Sequence, residues 1–497
     1  MAIAESTNFS QDVVRQADTI LITDHQFGDS RAIQSRNVHR FAVGLRLIAE
    51  ADPRHEHTLR RVSELTQDRL LLLMHDPVIR NAFEDDLAKL ENGVRDSCGL
   101  GRLMAALTDK PGDLGPCERI ATPHMRPWPA YGAAWLWTEL HPIDEASADL
   151  AAHLRLLYDG SIEGGPATEP VIPTLDMSRR LTQGAELLTR LLPGVGTSVL
   201  RHVSLLGFTR AETSDGPLQS LSGGDPLPSA ILMAPERLAD PWTVAETLLH
   251  ESAHLKLFDA LRACSLLTDA DRLVPIPWRK TPWRLVRVLV ALHFYAHLLV
   301  FEQAVHDASP EVRAAFGEPP AHQAVDEVSP GTQAARNGTY RSSAERARYL
   351  AKCVRTLPTG TLTPDGTRFM AWISEALTLV TGETSESKPA QPCVTGAADG
   401  PATEYAAETV VRRTNGVLGR SLAECGQLLL ANKASGRMHW LNARSWLIYS
   451  LCDDNEVESV TAEYSRRCGT DRRTSRQHVA ACLRELTALG LVDTTGK

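Results

Sequence analysis

The sequence is poor in aromatic residues and has no organised cysteines. Phenylalanine, tryptophan and tyrosine make up 5% of its 497 residues, whereas alanine, leucine and arginine are plentiful, and this composition favours a helix-rich fold. The nine cysteines are odd in number, irregularly spaced and never form a Cys-x-x-Cys pair. We therefore expect core or incidental thiols, because this pattern argues against a complete disulfide framework.

Features of membrane, secreted and nucleic-acid-binding proteins are also missing. No apolar run approaches the roughly eighteen residues of a membrane-spanning helix, and Met1–Ser10 lacks the basic and apolar regions of a secretory signal. The formal net charge of −9 gives no sign of a general nucleic-acid binder. We therefore expect a cytoplasmic protein with neither a membrane nor a nucleic-acid partner.

One break in composition divides the chain, which is long enough for two or three domains. Thr381–Thr403 consists mainly of Gly, Thr, Ser, Glu, Pro and Ala, which is typical of a linker. We predict a helix-rich catalytic domain over 1–380, a flexible linker over 381–409 and a compact module over 410–497. The predicted fold class is mainly α with a small β component, including a strand at Val199–Leu206.

The most informative stretch is the His-Glu-x-x-His motif over 250–254. Residues four apart share a helical face, so His250 and His254 can reach one divalent ion while Glu251 points to its open side. A predicted strand at Ser229–Ala234 lies upstream, and Asp240 followed by proline signals a helix start. The alternative is a buried helix whose histidines form hydrogen bonds in the core.

A catalytic metal needs a third protein ligand, because two imidazoles alone hold it poorly. The helical run Leu289–Val305 supplies the candidates, which rank His293 first, His297 second and Glu302 third. His293 and His297 are four residues apart and share a face, whereas Glu302 is roughly two and a half turns beyond His293. A candidate that is not a ligand is expected to support the ligands or to pack the helix.

The module over 410–497 has the element order of a winged helix-turn-helix, with two predicted strands before three helices. Its stretch Leu441–Asp453 combines Leu-Asn, a small residue, an apolar helix and a Cys-Asp ending. This pattern resembles the peptide-recognition domain of ribosomal peptide modification, typified by the peptide chaperone of pyrroloquinoline quinone biosynthesis. The resemblance implies that the leader of a precursor peptide binds as an added β-strand between Arg437–Leu441 and the last helix. The residues placed at the peptide are Arg437, His439, Trp440 and Leu441.

The rival interpretation of this module is a DNA-binding winged helix. Arg472–Gln477 begins the last helix and offers cations to a major groove. The neighbouring carboxylates of Asp453, Asp454 and Glu458 repel phosphates, however, so a peptide is the favoured partner.

The metal region resembles a bacterial family found beside such peptide genes and described by the same motif. The matching residues are the motif itself, Pro277–Arg284 and Leu292–Leu298. Some relatives are iron(II)- and 2-oxoglutarate-dependent hydroxylases of precursor peptides, so the resemblance implies hydroxylation of a side-chain carbon, expected at the β-position. The sequence departs from the family at Lys280–Trp283, where an Asp-Pro-Arg-Pro-like run is expected, and this leaves the cosubstrate contacts open.

In the hydroxylase interpretation, His250, His254 and His293 hold iron(II) and leave positions open for 2-oxoglutarate and dioxygen. Glu251 then orients its neighbours by hydrogen bonding. A planar guanidinium suits the far carboxylate of the cosubstrate, and three arginines lie between the two ligand helices. In order of preference these are Arg279, Arg284 and Arg287.

The alternative is a zinc metallopeptidase that acts on a precursor peptide. With zinc in the same site, Glu251 deprotonates the bound water for attack on a peptide carbonyl, and Tyr295 or a histidine that is not a ligand stabilises the oxyanion. A third possibility, an inactive leader-binding scaffold, is disfavoured by the intact motif. The family resemblance and the arginine-rich segment favour the oxygenase.

Overall fold

The computed structural model describes residues 2–92, 94, 99–108, 125–128, 134–137, 145–162, 170–213, 216–222, 226–320, 332–382, 405–422 and 427–495. Within them the chain is mainly helical with small sheets, which confirms the predicted class. The helices are α1 (Ala2–Thr23), α2 (Ser30–Ala51), α3 (Glu56–Ser63), α4 (Gln67–His75), α5 (Pro77–Glu91), α6 (Gly99–Thr108), α7 (Glu145–Ser161), α8 (Leu175–Leu191), α9 (Pro193–Leu200), α10 (Pro241–Leu261), α11 (Leu285–His306), α12 (Pro310–Phe316), α13 (Gln333–Asn337), α14 (Ser343–Arg355), α15 (Pro364–Thr381), α16 (Ala443–Leu451), α17 (Val457–Cys468) and α18 (Arg472–Ala488). The strands are β1 (Met125–Pro127), β2 (Trp135–Trp137), β3 (Leu205–Phe208), β4 (Glu212–Thr213), β5 (Gly216–Pro217), β6 (Ser220–Ser222), β7 (Ala230–Met233), β8 (Leu273–Val274), β9 (Trp283–Arg284), β10 (Val410–Arg413), β11 (Val417–Leu422), β12 (Gln427–Asn432), β13 (Met438–Leu441), β14 (Asp453–Glu456) and β15 (Val492–Thr495).

Two compact units account for the chain. The first comprises residues 1–37, 67–81 and 106–384, and the second comprises 38–66, 82–105 and 385–497. The boundary between them therefore falls inside α2. Most of the predicted linker, residues 383–404, lies outside the described residues, so the predicted division at 381–409 stays a prediction.

A five-stranded sheet supports the motif helix in the first unit. Its order is β1-β2-β3-β7-β6, in which β7 pairs parallel with β3 and antiparallel with β6. The predicted strand at Ser229–Ala234 is confirmed as β7, whose four residues are all buried. A short 3-10 turn at Pro235–Leu238 then leads from β7 into α10. The strand thus sets where the motif helix begins.

Helix α10 begins at the predicted signal. Asp240 Oδ1 accepts hydrogen bonds from the N–H groups of Trp242 and Thr243, each at 2.9 Å. Pro241 fills the first helical position, where no hydrogen-bonded N–H is needed. Most of the following residues are buried, on all sides of the helix. A helix of this kind is stable only inside a core.

The predicted strand at Val199–Leu206 is wrong over most of its length. Residues up to Leu200 belong to α9, and the strand β3 begins only at Leu205. Pro193 stands at the first position of α9, where its fixed φ favours a helix. Val195 and Val199 are four residues apart and both buried, so the helical period outweighs the local alternation.

Helix α11 has the length and composition of a membrane-spanning helix. However, 67% of its most apolar window is buried inside the fold, and a core helix of a soluble protein meets the same criteria. The expectation that no segment reaches this composition was therefore too strict. The apolar run is explained by packing of α11 against α10 and α14.

In the second unit, a three-stranded sheet is covered on two faces. Its order is β11-β12-β13. Leu428 and Leu430 of β12 belong to the core formed with α16, α17 and α18. Leu429 and Ala431 point the other way and pack against Val43 and Leu47 of α2. The three C-terminal helices predicted from the sequence are confirmed, whereas the winged helix-turn-helix assignment stays a prediction.

A buried ion pair ties α10 to the rest of the first unit. Asp259 forms a salt bridge with Arg80 of α5, and its Oδ2 lies 2.5 Å from Nδ1 of His202. A carboxylate can only accept, so His202 donates through Nδ1. Burial alone raises the pKa of Asp259, but the charge of Arg80 and the hydrogen bond from His202 outweigh it and hold that pKa well below its usual value.

Asp259→Asn should lower the free energy of unfolding by about 3–5 kcal/mol at neutral pH, because it leaves Arg80 buried without its counter-charge. The carboxylate has a depressed pKa, so its contribution is present above its unfolded-state pKa and is lost as the pH falls towards the folded-state value. The difference from the wild type should therefore narrow below about pH 4. Urea unfolding followed by circular dichroism measures both effects.

Asp176→Asn is the matched control, because Asp176 forms salt bridges with Arg179 and Arg180 on an exposed surface. This variant should unfold almost as the wild type does. Equal losses of stability in the two variants would contradict the structural role of the buried pair.

Candidate functional site

Helix α10 places the first two predicted ligands side by side. The ring centroids of His250 and His254 are 4.9 Å apart. Phe294 of α11 stacks on His250 with a centroid separation of 3.7 Å and an interplanar angle of 21°, and it lies 5.7 Å from His254. The stacking restricts the orientation of the His250 ring. Phe294 was missed by sequence reasoning, although it directly follows the candidate ligand His293.

Glu251 points to the edge of the sheet. Its side chain is buried, and Oε1 accepts a hydrogen bond of 2.6 Å from the hydroxyl of Ser220 in β6. Sequence reasoning missed Ser220, because the Gly/Ser/Asp-rich stretch around it is typical of a loop. The contact links the motif glutamate to a strand edge.

The second histidine pair lies on α11 in a dry, aromatic environment. His293 and His297 are both fully buried, with ring centroids 4.3 Å apart and Trp372 at 5.7 Å and 6.5 Å. His297 Nδ1 lies 2.9 Å from the carbonyl oxygen of His293, which can only accept, so Nδ1 carries the proton. Burial lowers the pKa of His297 to about 3. His297 is therefore neutral, with a lone pair on Nε2.

Several buried ring nitrogens near the motif have no hydrogen-bond partner among the described residues. They are His254 Nδ1, His293 Nδ1, His293 Nε2 and His297 Nε2. An unsatisfied buried polar atom costs roughly 1–3 kcal/mol, and a ligand bound to these nitrogens would remove that cost. Neutral imidazole nitrogens are the donors that zinc, iron and copper prefer. The donor set fits an imidazole-bound metal.

The third metal ligand stays a prediction. Across the described ranges no three His, Cys, Asp or Glu side chains converge as a metal-binding group. His254 nevertheless contributes to lowering the pKa of His293, after burial, His297 and Lys256, so the two pairs interact electrostatically. Glu302, ranked third, has its Oε1 2.5 Å from the hydroxyl of Ser343 in α14.

The three candidate arginines occupy different environments. Arg284 and Arg287 are both exposed, whereas Arg279 is half-buried. Arg284 forms a 3.3 Å salt bridge with Asp271. Arg287 lies over the ring of Trp283 at 4.7 Å. Burial and the charge of His250 lower the pKa of His254 to about 3. Glu251 acts against this shift, and the charge of Arg287 adds to it. The charge of Arg287, ranked last from the sequence, thus acts on a motif histidine.

In the C-terminal module, strand β13 is an edge of its sheet. The N–H of Asn432 donates to the carbonyl of Arg437 at 2.9 Å, so the next amide, the N–H of Met438, points away from β12. Because the direction of the hydrogen-bonding groups alternates along a strand, the N–H and C=O groups of Trp440 also point away from β12. No described strand pairs with this edge.

The four predicted peptide-binding residues divide between two faces of β13. His439 and Leu441 lie opposite Leu430 and Leu428, on the face towards α16, α17 and α18. Trp440 lies opposite Leu429 and packs on the face covered by α2. Arg437 is exposed just before the strand. Their role in binding stays a prediction.

Residues 427–492 match the family described as Coenzyme PQQ synthesis protein D (PqqD). The matched range begins at β12 and ends at the first residue of β15, so it contains β13 and the three helices that follow it. No curated protein matches the chain. The C-terminal module is therefore a PqqD-like recognition element for ribosomally made, modified peptides.

Removing a motif imidazole should abolish metal binding. His250→Ala and His254→Ala should each lose most of the zinc that the wild-type chain retains after loading and desalting, since two remaining donors hold a metal poorly. Atomic emission spectroscopy gives the metal content per chain. His306→Ala, at the exposed end of α11, is the control and should retain wild-type zinc. Full zinc content in the His250→Ala chain would rule out this site.

Proposed function

We propose that the chain is an iron(II)- and 2-oxoglutarate-dependent hydroxylase of a ribosomally made precursor peptide. The observation that carries the proposal is the combination of a PqqD-like module at 427–492 with buried, unpartnered imidazole nitrogens beside the motif. The module supplies recognition of a peptide, and the imidazoles supply the donors for a redox metal.

His250 and His254 would hold the metal, with His293 as the expected third ligand. When bound, iron(II) with 2-oxoglutarate and dioxygen supplies an oxidant strong enough to hydroxylate an unactivated carbon. The protein residues hold the neighbouring groups in place: Phe294 stacks on His250, and Ser220 donates to Glu251. The buried, aromatic surroundings exclude water from the histidine pair on α11.

A guanidinium near the motif suits the distal carboxylate of 2-oxoglutarate. Arg287 is the best-supported of the three candidates, because its charge acts on His254. Its contact with the ring of Trp283 restricts the orientation of the side chain.

A zinc metallopeptidase is the second candidate function. The position of Glu251 favours it, because the carboxylate acts on the pKa of His254 and contacts Ser220 of the edge strand β6. In that function Glu251 would be the general base for the attacking water.

The visible spectrum of the iron-loaded chain separates the two functions. Addition of 2-oxoglutarate under anaerobic conditions should produce the weak charge-transfer band of an iron(II)-bound 2-oxo acid, and His254→Ala should abolish it. Arg287→Met should weaken 2-oxoglutarate binding by roughly tenfold or more, since a charge-assisted hydrogen bond is lost. Arg284→Met, at an exposed ion pair, is its control. Tight zinc binding with no band would support the peptidase instead.

Peptide recognition at β13 predicts a specific effect of proline. Met438→Pro removes an outward N–H without breaking the ladder with β12, so it should weaken capture of peptides by about tenfold. Met438→Ala shortens the same side chain, keeps the N–H and should retain capture. The probe is a random peptide library displayed on mRNA and selected on the full chain. Equal capture by the two variants would refute strand addition at β13.

A further inference from the structure

Strand β6 is the outermost strand of the five-stranded sheet. It pairs antiparallel with β7, with Ser220 opposite Met233 and Ser222 opposite Ile231. Within the described part of the chain, no strand lies on its other side. Helix α10 packs against β6. An open strand edge therefore adjoins the helix that carries the metal-binding motif.

The backbone of β6 presents hydrogen-bonding groups to this open edge. The N–H of Ala234 donates to the carbonyl of Gln219 at 2.9 Å, so the amide of that same peptide unit, the N–H of Ser220, points away from β7. The alternation of an antiparallel ladder gives Ser222 the same orientation. Ser220 and Ser222 thus direct N–H and C=O groups outwards, whereas Leu221 pairs with β7.

Ser220 faces two ways. Its backbone points to the open edge, and its hydroxyl donates to Glu251 at 2.6 Å. Ser220, Leu221 and Ser222 are all partly exposed, and the two serines leave room for a neighbouring chain. A strand added to β6 would therefore run beside the residue that holds the motif glutamate.

We propose that β6 is the docking edge for the segment of the precursor peptide that is modified, which would bind in extended form as a sixth strand held by the backbones of Ser220 and Ser222. This inference rests on the proposed peptide-modifying function and adds the place where the reacting segment lies. Main-chain hydrogen bonds do not depend on side-chain identity. Such an edge therefore suits a segment whose side chain enters the metal site while its backbone is held.

The occupant is a peptide because the chain carries a peptide-recognition element. The edge is also short, with three residues in β6. Short edge strands bind other strands weakly on their own, which suits a segment that is delivered by separate recognition of its leader.

The test uses the full chain loaded with zinc and a random peptide library displayed on mRNA. Ser222→Pro removes the outward N–H and leaves the pairing of Leu221 with β7 intact, so it should reduce capture of edge-binding peptides by about tenfold. Ser222→Ala retains the N–H and should capture them as the wild type does. Thermal unfolding of the two variants reports whether the proline disturbs the fold.

Hydrogen–deuterium exchange on the wild-type chain provides a second measurement that needs no substitution. A captured peptide that adds to β6 should slow exchange in the fragment containing Ser220 and Ser222. No protection there with any peptide, or equal capture by Ser222→Pro and Ser222→Ala, would overturn the inference.

The outcomes separate this inference from the proposed function. If Met438→Pro reduces the capture of peptides and Ser222→Pro does not, leader recognition is supported and docking at β6 is refuted. If Ser222→Pro reduces the capture of peptides but the wild-type chain shows no iron–2-oxoglutarate band, docking at β6 is supported and the hydroxylase function is refuted. A concentration-dependent dimer that Ser222→Pro dissociates would show that β6 pairs with a second copy of the chain, which also overturns the proposal.

Discussion

The burial of helix α10 is the constraint on which the first unit depends. The helix is enclosed on nearly all sides, yet it carries several ionisable residues, and each buried polar group needs a partner. Glu251 has Ser220, Lys256 has the hydroxyl of Ser198 at 2.9 Å, and Asp259 has Arg80 and His202. Nδ1 of His254 and the hydroxyl of Ser252 are the polar groups of this helix that have no hydrogen-bond partner among the described residues.

The buried histidines also differ in whether their ring nitrogens have hydrogen-bond partners. His202 is as deeply buried as His297, but it lies between Asp259 and the hydroxyl of Ser30. His297 has only one ring nitrogen engaged, and His293 has neither. A buried histidine with two partners stabilises the fold. A buried histidine pair whose ring nitrogens lack hydrogen bonds lowers stability unless a ligand binds there. The number of hydrogen-bond partners therefore separates a structural histidine from a candidate ligand.

Much of the secondary structure around the motif was predictable because its signals are local. The motif, the Asp240 cap and the apolar runs of α10 and α11 are short-range patterns, and β7 and the three C-terminal helices follow from periodicity. Ser220 was not predictable, because its role depends on β6 pairing with β7 and thereby facing α10. The two faces of β13 could not be separated either. Trp440 is covered by α2, which lies almost four hundred residues earlier in the chain, and no local pattern records such a contact.

The covering of β12 by α2 has a consequence for biosynthesis. Val43 and Leu47 pack against Leu429 and Ala431, so their partners leave the ribosome roughly 380 residues later. At about 5–20 residues per second, this apolar surface waits for tens of seconds before the C-terminal sheet can cover it. Premature termination would leave it uncovered permanently. The nascent chain is therefore a candidate for chaperone capture, and truncated products should be cleared by proteolysis rather than persist as free fragments.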